Sequence, residues 1–247
     1  MSELIVGRNP VIEAIWSGTH QIEKILIVQD NKHPRLREIM QAAKRNRIPF
    51  QRCSKHHLDG LHTNHQGVIA YVSPFRYTEL SILLENIQHK KDVPAVLIML
   101  DQVQDPRNLG AILRTANATN TDGVIIPKNN SVEITAAVHK ASAGSTAYTP
   151  ITKVTNLAQT IEKLKSVGIW VVGTAEDAEL PYTAADFTVP LCIVLGNEGE
   201  GIRRLVKQKC DFLVHLPMLG QIRSLNVSVT AGVLLYEVIR QRIYNAK

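Results

Sequence analysis

The sequence predicts an α/β protein in two parts: a small N-terminal α/β unit and a larger C-terminal domain with a mostly parallel sheet covered by helices. Three observations predict it. From Ala95 onward, short apolar runs alternate with amphipathic stretches of helical spacing, the pattern of strands buried on both faces. Residues 1–74 show the same alternation on a smaller scale. At 247 residues the chain corresponds to about 1.6 domains of roughly 150 residues.

The elements follow in order. Pro10 after Asn9 suits a helix start, running to about Ser17 with Gly18 as its stop. Lys24 to Val28 reads as a short buried strand. Pro34 opens a second helix, Arg35 to Asn46, with Leu36, Ile39, Met40 and Ala43 on one face. Ile48 to Cys53 is a strand, Ser54 caps a short helix, and Gly67 to Val72 is a strand ended by Ser73-Pro74. Residues 75–92 read as a linker holding one helix, Glu79 to His89. In the domain 93–247, strands are expected at 95–100, 123–127, 169–174, 190–195 and 212–216. Helices are expected at 108–119, 132–142, 156–167, 200–209 and 226–245. Ligands on such sheets bind beyond the carboxyl ends of strands, so chemistry belongs to the loops after residues 100, 174, 195 and 216.

Composition narrows the class. The 25 glycines and prolines, about a tenth of the chain, exclude collagen-like and low-complexity architectures. Cys53, Cys192 and Cys210 are odd in number and widely spaced, which argues against a disulfide framework and for a reducing cytosol. The apolar run Val93 to Leu100 is too short to span a bilayer, and Met1-Ser2-Glu3-Leu4 does not open a signal peptide, so a cytoplasmic protein is expected. A net charge of +6 favours an anionic partner. Eight basic residues lie between Lys32 and Lys55 against the single acid Glu38, whereas residues 93–247 hold 15 basic and 13 acidic residues. A solvated helix face accounts equally well for such a run. Aromatics at 5% argue against a stacking sheet of the RRM type. Cys53, His56, His57, His62 and His65 match no zinc module, and no metal is expected.

Three loops are unusual. In Asp101 to Thr115, Asn108 is a good helix N-cap, Gly110 and Ala111 permit close approach, and Arg114 lies about 1.7 turns further on. Leu195-Gly196-Asn197-Glu198-Gly199-Glu200-Gly201 follows a buried strand with three glycines in six residues, which suggests close backbone approach to a ligand in the space their missing side chains leave. It is neither the dinucleotide fingerprint nor a P-loop, and its two glutamates suit a cationic or hydroxyl-rich ligand better than a phosphate. Leu216 to Val229 joins a strand to the last helix. There Ser224, Asn226 and Ser228 supply more small polar groups than one cap requires.

In this order, Asn108-Leu109-Gly110-Ala111 with Arg114, Leu195 to Gly201, and Ser224-Leu225-Asn226-Val227-Ser228-Val229 closely resemble the three motifs of the SpoU (TrmH-like) RNA ribose 2′-O-methyltransferases of the SPOUT class. Lys140-Ala141-Ser142-Ala143-Gly144 and His65-Gln66-Gly67 resemble further family strings. The resemblance covers nearly the whole chain. It most resembles the bacterial large-subunit rRNA guanosine-2′-O-methyltransferase branch, with a ribosomal-protein-L30e-like RNA-binding domain ahead of the catalytic one. It departs at Arg223 and Ser145, where a neutral or acidic residue and an alanine are commoner.

The resemblance implies what composition does not show. The C-terminal domain would hold a deep trefoil knot, which generic topology rules disfavour. The knot would form the pocket for S-adenosylmethionine (SAM), contacted around Thr174, Gly196, Leu216 and Leu225. Arg114 would be the central catalytic residue, with Asn108, Glu198, Ser224 and Asn226 as the other polar site residues. Asn108 and Asn226 would hold Arg114 and the ribose. Arginine stays protonated under ordinary conditions, so stabilising an oxyanion or clamping a phosphate is an easier role for Arg114 than that of a base. Arg35, Lys44, Arg45, Arg47 and Arg52 would contact RNA. The protein would be a homodimer acting on 23S rRNA without metal or membrane. A tRNA ribose 2′-O-methyltransferase and a non-catalytic rRNA-binding assembly factor remain as alternatives. An oxidoreductase is disfavoured by the missing fingerprint.

Overall fold

The computed structural model describes residues 3–17, 22–29, 33–73, 75–90, 93–197, 199–221 and 224–244. They form two compact units, residues 1–76 and 77–247.

The first unit runs β1 (Glu3–Val6), α1 (Arg8–Ser17), β2 (Ile22–Val28), α2 (Pro34–Arg45), β3 (Phe50–Cys53), α3 (Lys55–Leu61) and β4 (Val68–Val72). Its sheet has the order β1-β4-β2-β3, with β4 antiparallel to both neighbours and β2 parallel to β3. Proline opens α2 where its missing N–H costs nothing, and His33 Nδ1 accepts from Arg35 N at 3.2 Å. Ser54 Oγ caps α3 by accepting from His57 N. Val11, Ile12 and Ile15 of α1 and Leu36 and Ile39 of α2 cover one sheet face over Ile25, Val68 and Ala70. Leu58 of α3 packs on the other face against Leu26 and Ile69. β1 is an element the sequence reading lacked.

The second unit begins with α4 (Leu80–His89), followed by β5 (Val96–Asp101), α5 (Pro106–Ala118), β6 (Gly123–Pro127), α6 (Ala136–Ala141), β7 (Ile151–Val154) and α7 (Leu157–Ser166). It continues through β8 (Trp170–Thr174), β9 (Leu180–Pro181), β10 (Leu191–Gly196), α8 (Arg204–Lys209), β11 (Phe212–His215) and α9 (Val227–Tyr244). The seven-stranded sheet, ordered β7-β6-β5-β10-β8-β11-β9, is parallel throughout. β10 enters between β5 and β8, so the chain reaches the sheet centre only after both of these neighbours are laid down. Every residue of β5 is buried, as the unbroken apolar run requires.

Three sequence expectations change. The segment 75–92 is more than a linker, because α4 inserts Leu83 into a core with Leu97, Met99 and Ile125. The helix expected from residue 200 starts at Arg204, since Gly201 has φ +68° and the preceding residues form a turn. Asn108 does not cap α5. Asp105 does, accepting from Arg107 N at 2.8 Å, with Pro106 as the first helical residue. That pairing satisfies the helix start two residues earlier and leaves Asn108 inside the first turn.

Candidate active site

The carboxyl ends of β8, β10 and β11 open into one cavity of about 670 Å³, a size suited to a small-molecule cofactor. Thr174, Gly196, Leu216 and Leu225, read from sequence as cofactor residues, all line it, and so does Ser224.

Its central wall is the turn after β10. Asn197 Oδ1 accepts from Gly199 N at 3.0 Å and Glu200 N at 2.6 Å, and Gly201 N donates to Asn197 O at 3.1 Å. The turn therefore folds back on its own origin. A Cβ on Gly196 would lie 2.0 Å from the Gly201 carbonyl carbon. Gly196 is thus required for backbone packing within the loop, whereas the sequence reading assigned its open space to the cofactor. Glu198 lies outside the described residues.

Asp101 holds the far end of this turn. It is fully buried at the end of β5 and accepts from both the backbone N–H and Nε of Arg203, at 2.9 and 2.8 Å. Sequence reasoning missed it. The signal was a carboxylate ending a strand that is otherwise wholly apolar. Across the cavity, Thr174 Oγ1 donates to Val194 O at 3.2 Å and fastens β8 to β10.

The first and third motifs meet directly. Asn226 Nδ2 donates to Asn108 Oδ1 at 2.9 Å, joining the first turn of α5 to the start of α9. Asn226 also caps α9, its Oδ1 accepting from Ser228 N at 2.9 Å and from Ser228 Oγ. Asn108 is 8% exposed. Arg114 is exposed and makes no hydrogen bond or ion pair with a described residue. The two asparagines thus hold one another, and neither is bonded to Arg114.

The secondary strings are supports. A Cβ on Gly110 would lie 2.3 Å from Ala141 Cβ, so glycine there seats α6 against α5. Behind it, His139 Nδ1 contacts Thr146 Oγ1 at 2.5 Å and Ser142 Oγ donates to His139 O at 2.9 Å. In the first unit, His65 Nδ1 accepts from Gly67 N at 2.8 Å, which leaves Nε2–H to donate to Asp59 at 2.9 Å. Gln66 Oε1 accepts from Arg8 N at 3.3 Å. His65 thus has a structural role. No cluster of His, Cys, Asp or Glu suited to a metal occurs among the described residues. Burial pushes the Cys192 thiol up and Cys210 to about 12, so neither is a ready nucleophile.

The basic residues of the first unit are partly committed. Arg35 pairs with Glu38 at 2.8 Å. Lys44 and Arg45 occupy the last turn of α2, where the helix dipole favours cations. Arg47 is exposed with φ +55°, and Arg52 is exposed on β3. The unit holds eleven basic and six acidic residues, so it carries five of the chain's six net positive charges.

SAM is a cationic nucleoside derivative, and the cavity fits such a group. Its interior is apolar at Leu195, Ile202, Val214, Leu216 and Leu225, while Glu176, Asp177 and Glu200 contribute carboxylates. Only Asp177 is neutralised by a described cation, Lys207 at 2.6 Å. His215 Nδ1 is buried in the wall without a hydrogen-bond partner among the described residues. Among the described residues, no helix is long and apolar enough to cross a membrane.

Comparison with known proteins agrees. Residues 95–236 match the SpoU rRNA Methylase family, and residues 4–78 match the RNA 2′-O ribose methyltransferase substrate-binding family. A Staphylococcus saprophyticus protein assigned to the TrmH family of tRNA/rRNA methyltransferases is 47% identical over 242 residues, covering 98% of this chain and 96% of that one. The SpoU methyltransferase AviRb of Streptomyces viridochromogenes, solved with AdoMet (SAM), aligns with a TM-score of 0.66 at 26% identity, over 98% of this chain and 91% of that chain. The A. aeolicus TrmH/SpoU tRNA modifying enzyme aligns with a TM-score of 0.58 at 28% identity, over 66% of this chain and 86% of its own. Fold, cavity and matches together define the class, an RNA 2′-O ribose methyltransferase that uses SAM. The chain belongs to the SpoU rRNA methylase family.

Proposed function

We propose that the protein transfers the SAM methyl group to the 2′-oxygen of a guanosine in 23S rRNA, in the cytoplasm. The observation that carries this reading is the separate, positively charged first unit, which matches the substrate-binding family. The alignment with the A. aeolicus tRNA modifying enzyme spans only two-thirds of this chain, about the share held by the second unit. The added unit favours a structured RNA larger than tRNA. SAM, when bound, supplies an electrophilic methyl group. The chain's part is to seat it with the ribose oxygen in line, since positioning supplies much of the rate. Thr174, Gly196, Leu216 and Leu225 would frame the cofactor. Asn108, Ser224, Asn226 and Glu198 would order the ribose side, and Arg114 would stabilise charge on the attacking oxygen or its neighbouring phosphate. The deep knot carries over as part of this reading. Incubation with labelled SAM and separate rRNA and tRNA pools, followed by nucleoside digestion, tests it. 2′-O-methylguanosine from 23S rRNA is expected, and label confined to tRNA would overturn the rRNA assignment.

The RNA-contact assignment has its own test. Replacing Arg45 and Arg47 by alanine should weaken rRNA binding and reduce the slope of log affinity against log salt by up to about 2. An unchanged slope would remove both from the interface.

The proposed active form is a homodimer joined through α9. Val229, Tyr236 and Ile243 recur every seven residues and are 49%, 57% and 64% exposed, a row of apolar side chains along one side of the helix. Leu234 and Val238 of the same helix are buried within the chain and take no part in that row. Light scattering at micromolar concentration should give twice the 27.4 kDa chain mass, and Tyr236→Glu should shift it toward monomer. A monomeric wild type would defeat this assignment.

A further inference from the structure

The first unit leaves one large aromatic side chain in solvent. Trp16 on α1 is 59% exposed, in a chain with only two tryptophans. An indole is ordinarily placed in a core or at an interface, where its area is removed from water. The Arg35 guanidinium, on α2, lies 5.9 Å from the Trp16 ring centroid, within the roughly 6 Å range of cation–π attraction. Arg35 is itself fixed, since Nε donates to Asn9 Oδ1 at 3.2 Å and Nη1 to Glu38 at 2.8 Å. Asn9 and Trp16 stand seven residues apart on α1, about two turns, and so share a face. An aromatic plane, a held planar cation and an exposed amide thus form a small surface that needs no rearrangement before use.

We propose that Trp16, with Arg35 and Asn9, seats an unpaired RNA base. The base stacks on the indole, and the Asn9 amide N–H groups, left over once Oδ1 is taken by Arg35, reach acceptors on its edge. This rests on reading the first unit as the RNA-binding part of the enzyme. Paired bases hide their faces in the helix, so stacking selects an unpaired nucleotide. Glu38 offsets the Arg35 charge, and Glu13 lies one turn from Trp16 on α1. The patch therefore carries no positive surplus and suits a base rather than a phosphate, while Lys44, Arg45 and Arg47 supply the attraction for phosphates.

The test uses the full chain with Trp170→Phe, which leaves Trp16 as its only tryptophan. Titration with single-stranded twelve-nucleotide oligo(A) should quench its fluorescence, and an RNA duplex of the same length should not. Trp16→Ala should weaken oligo(A) binding about 10-fold, and Trp16→Phe should recover most of the loss. SAM affinity by calorimetry should stay unchanged in all three variants. No quenching by oligo(A), equal quenching by duplex, or a Trp16→Ala affinity within twofold of the parent overturns the proposal. A changed oligomer mass in Trp16→Ala with unaltered RNA affinity also overturns it, in favour of a protein contact. Methyl transfer by the parent to rRNA and tRNA pools is measured alongside. Methylation with a silent Trp16 sinks only the base seat, whereas methylation of neither pool sinks the enzymatic reading on which it rests.

Discussion

Arg114→Ala is expected to lower methyl transfer by at least about 10³-fold, roughly 4 kcal/mol of barrier, while SAM affinity stays within about threefold. The geometry separates the two effects. Arg114 stands on the exposed side of α5, outside the cavity lined by Thr174, Gly196, Leu216 and Leu225, and bonds to no described residue. An arginine that no described residue holds is available to RNA, and its removal takes no prop from the described lining of the cofactor pocket. Arg114→Lys should also fail, because an ammonium cannot reproduce the planar two-pronged contact with a phosphate or oxyanion. Single-turnover methylation of rRNA fragments and calorimetry with SAM read the two quantities independently. Activity within tenfold of the parent would mean that Arg114 is not the reacting centre. A parallel loss of SAM binding would mean that α5 supports the cofactor and that the arginine acts through it.

Much of this architecture was legible because the second unit obeys local rules. Five strands of its parallel sheet are continuous apolar runs, and each falls within a residue or two of its expected place. The strands that escaped notice are short and peripheral. Ile151-Thr152-Lys153-Val154 forms the edge strand β7, Leu180–Pro181 the opposite edge strand β9, and Glu3–Val6 the edge strand β1 of the first unit. Edge strands are commonly short and carry charge, which erases the apolar signal used to find interior ones. α4 was seen as a helix but placed in a linker, since nothing local reveals that Leu83 packs over Gly123, where a Cβ would meet it at 2.8 Å. In the site, the residue types were readable and their partners were not. Asn108 and Asn226 are 118 residues apart, and Asp101 and Arg203 are 102 apart. Cap chemistry is local, so Asn108 reads from sequence as a cap, yet Asp105-Pro106 takes that role and frees it for Asn226. The contact between Gly196 and Gly201 depends on a five-residue reversal that composition suggests but does not orient.

That reversal sets the other large effect. Gly196→Ala should raise the SAM dissociation constant at least about 100-fold, equivalent to some 2.7 kcal/mol. The added Cβ would lie at 2.0 Å from Gly201 C and 2.2 Å from both Gly201 O and Ile202 N. These are backbone atoms, so no side chain can rotate away, and the strain exceeds ordinary core overpacking, which costs about 1–3 kcal/mol. The cheapest relief is to release the Asn197–Gly201 closure, because β10 itself is pinned in register between β5 and β8. The turn would then leave the cavity wall while the sheet stays intact. Far-ultraviolet circular dichroism should therefore remain near the parent spectrum, and calorimetry should show the loss of cofactor. Gly199→Ala provides the contrast, since its Cβ would meet only Asn197 Oδ1, at 3.8 Å, and a far smaller change is expected. Equal losses from Gly196→Ala and Gly199→Ala would mean that the cofactor itself needs the room at both positions, as the sequence suggested, and that the reversal of the turn is not what shapes the wall.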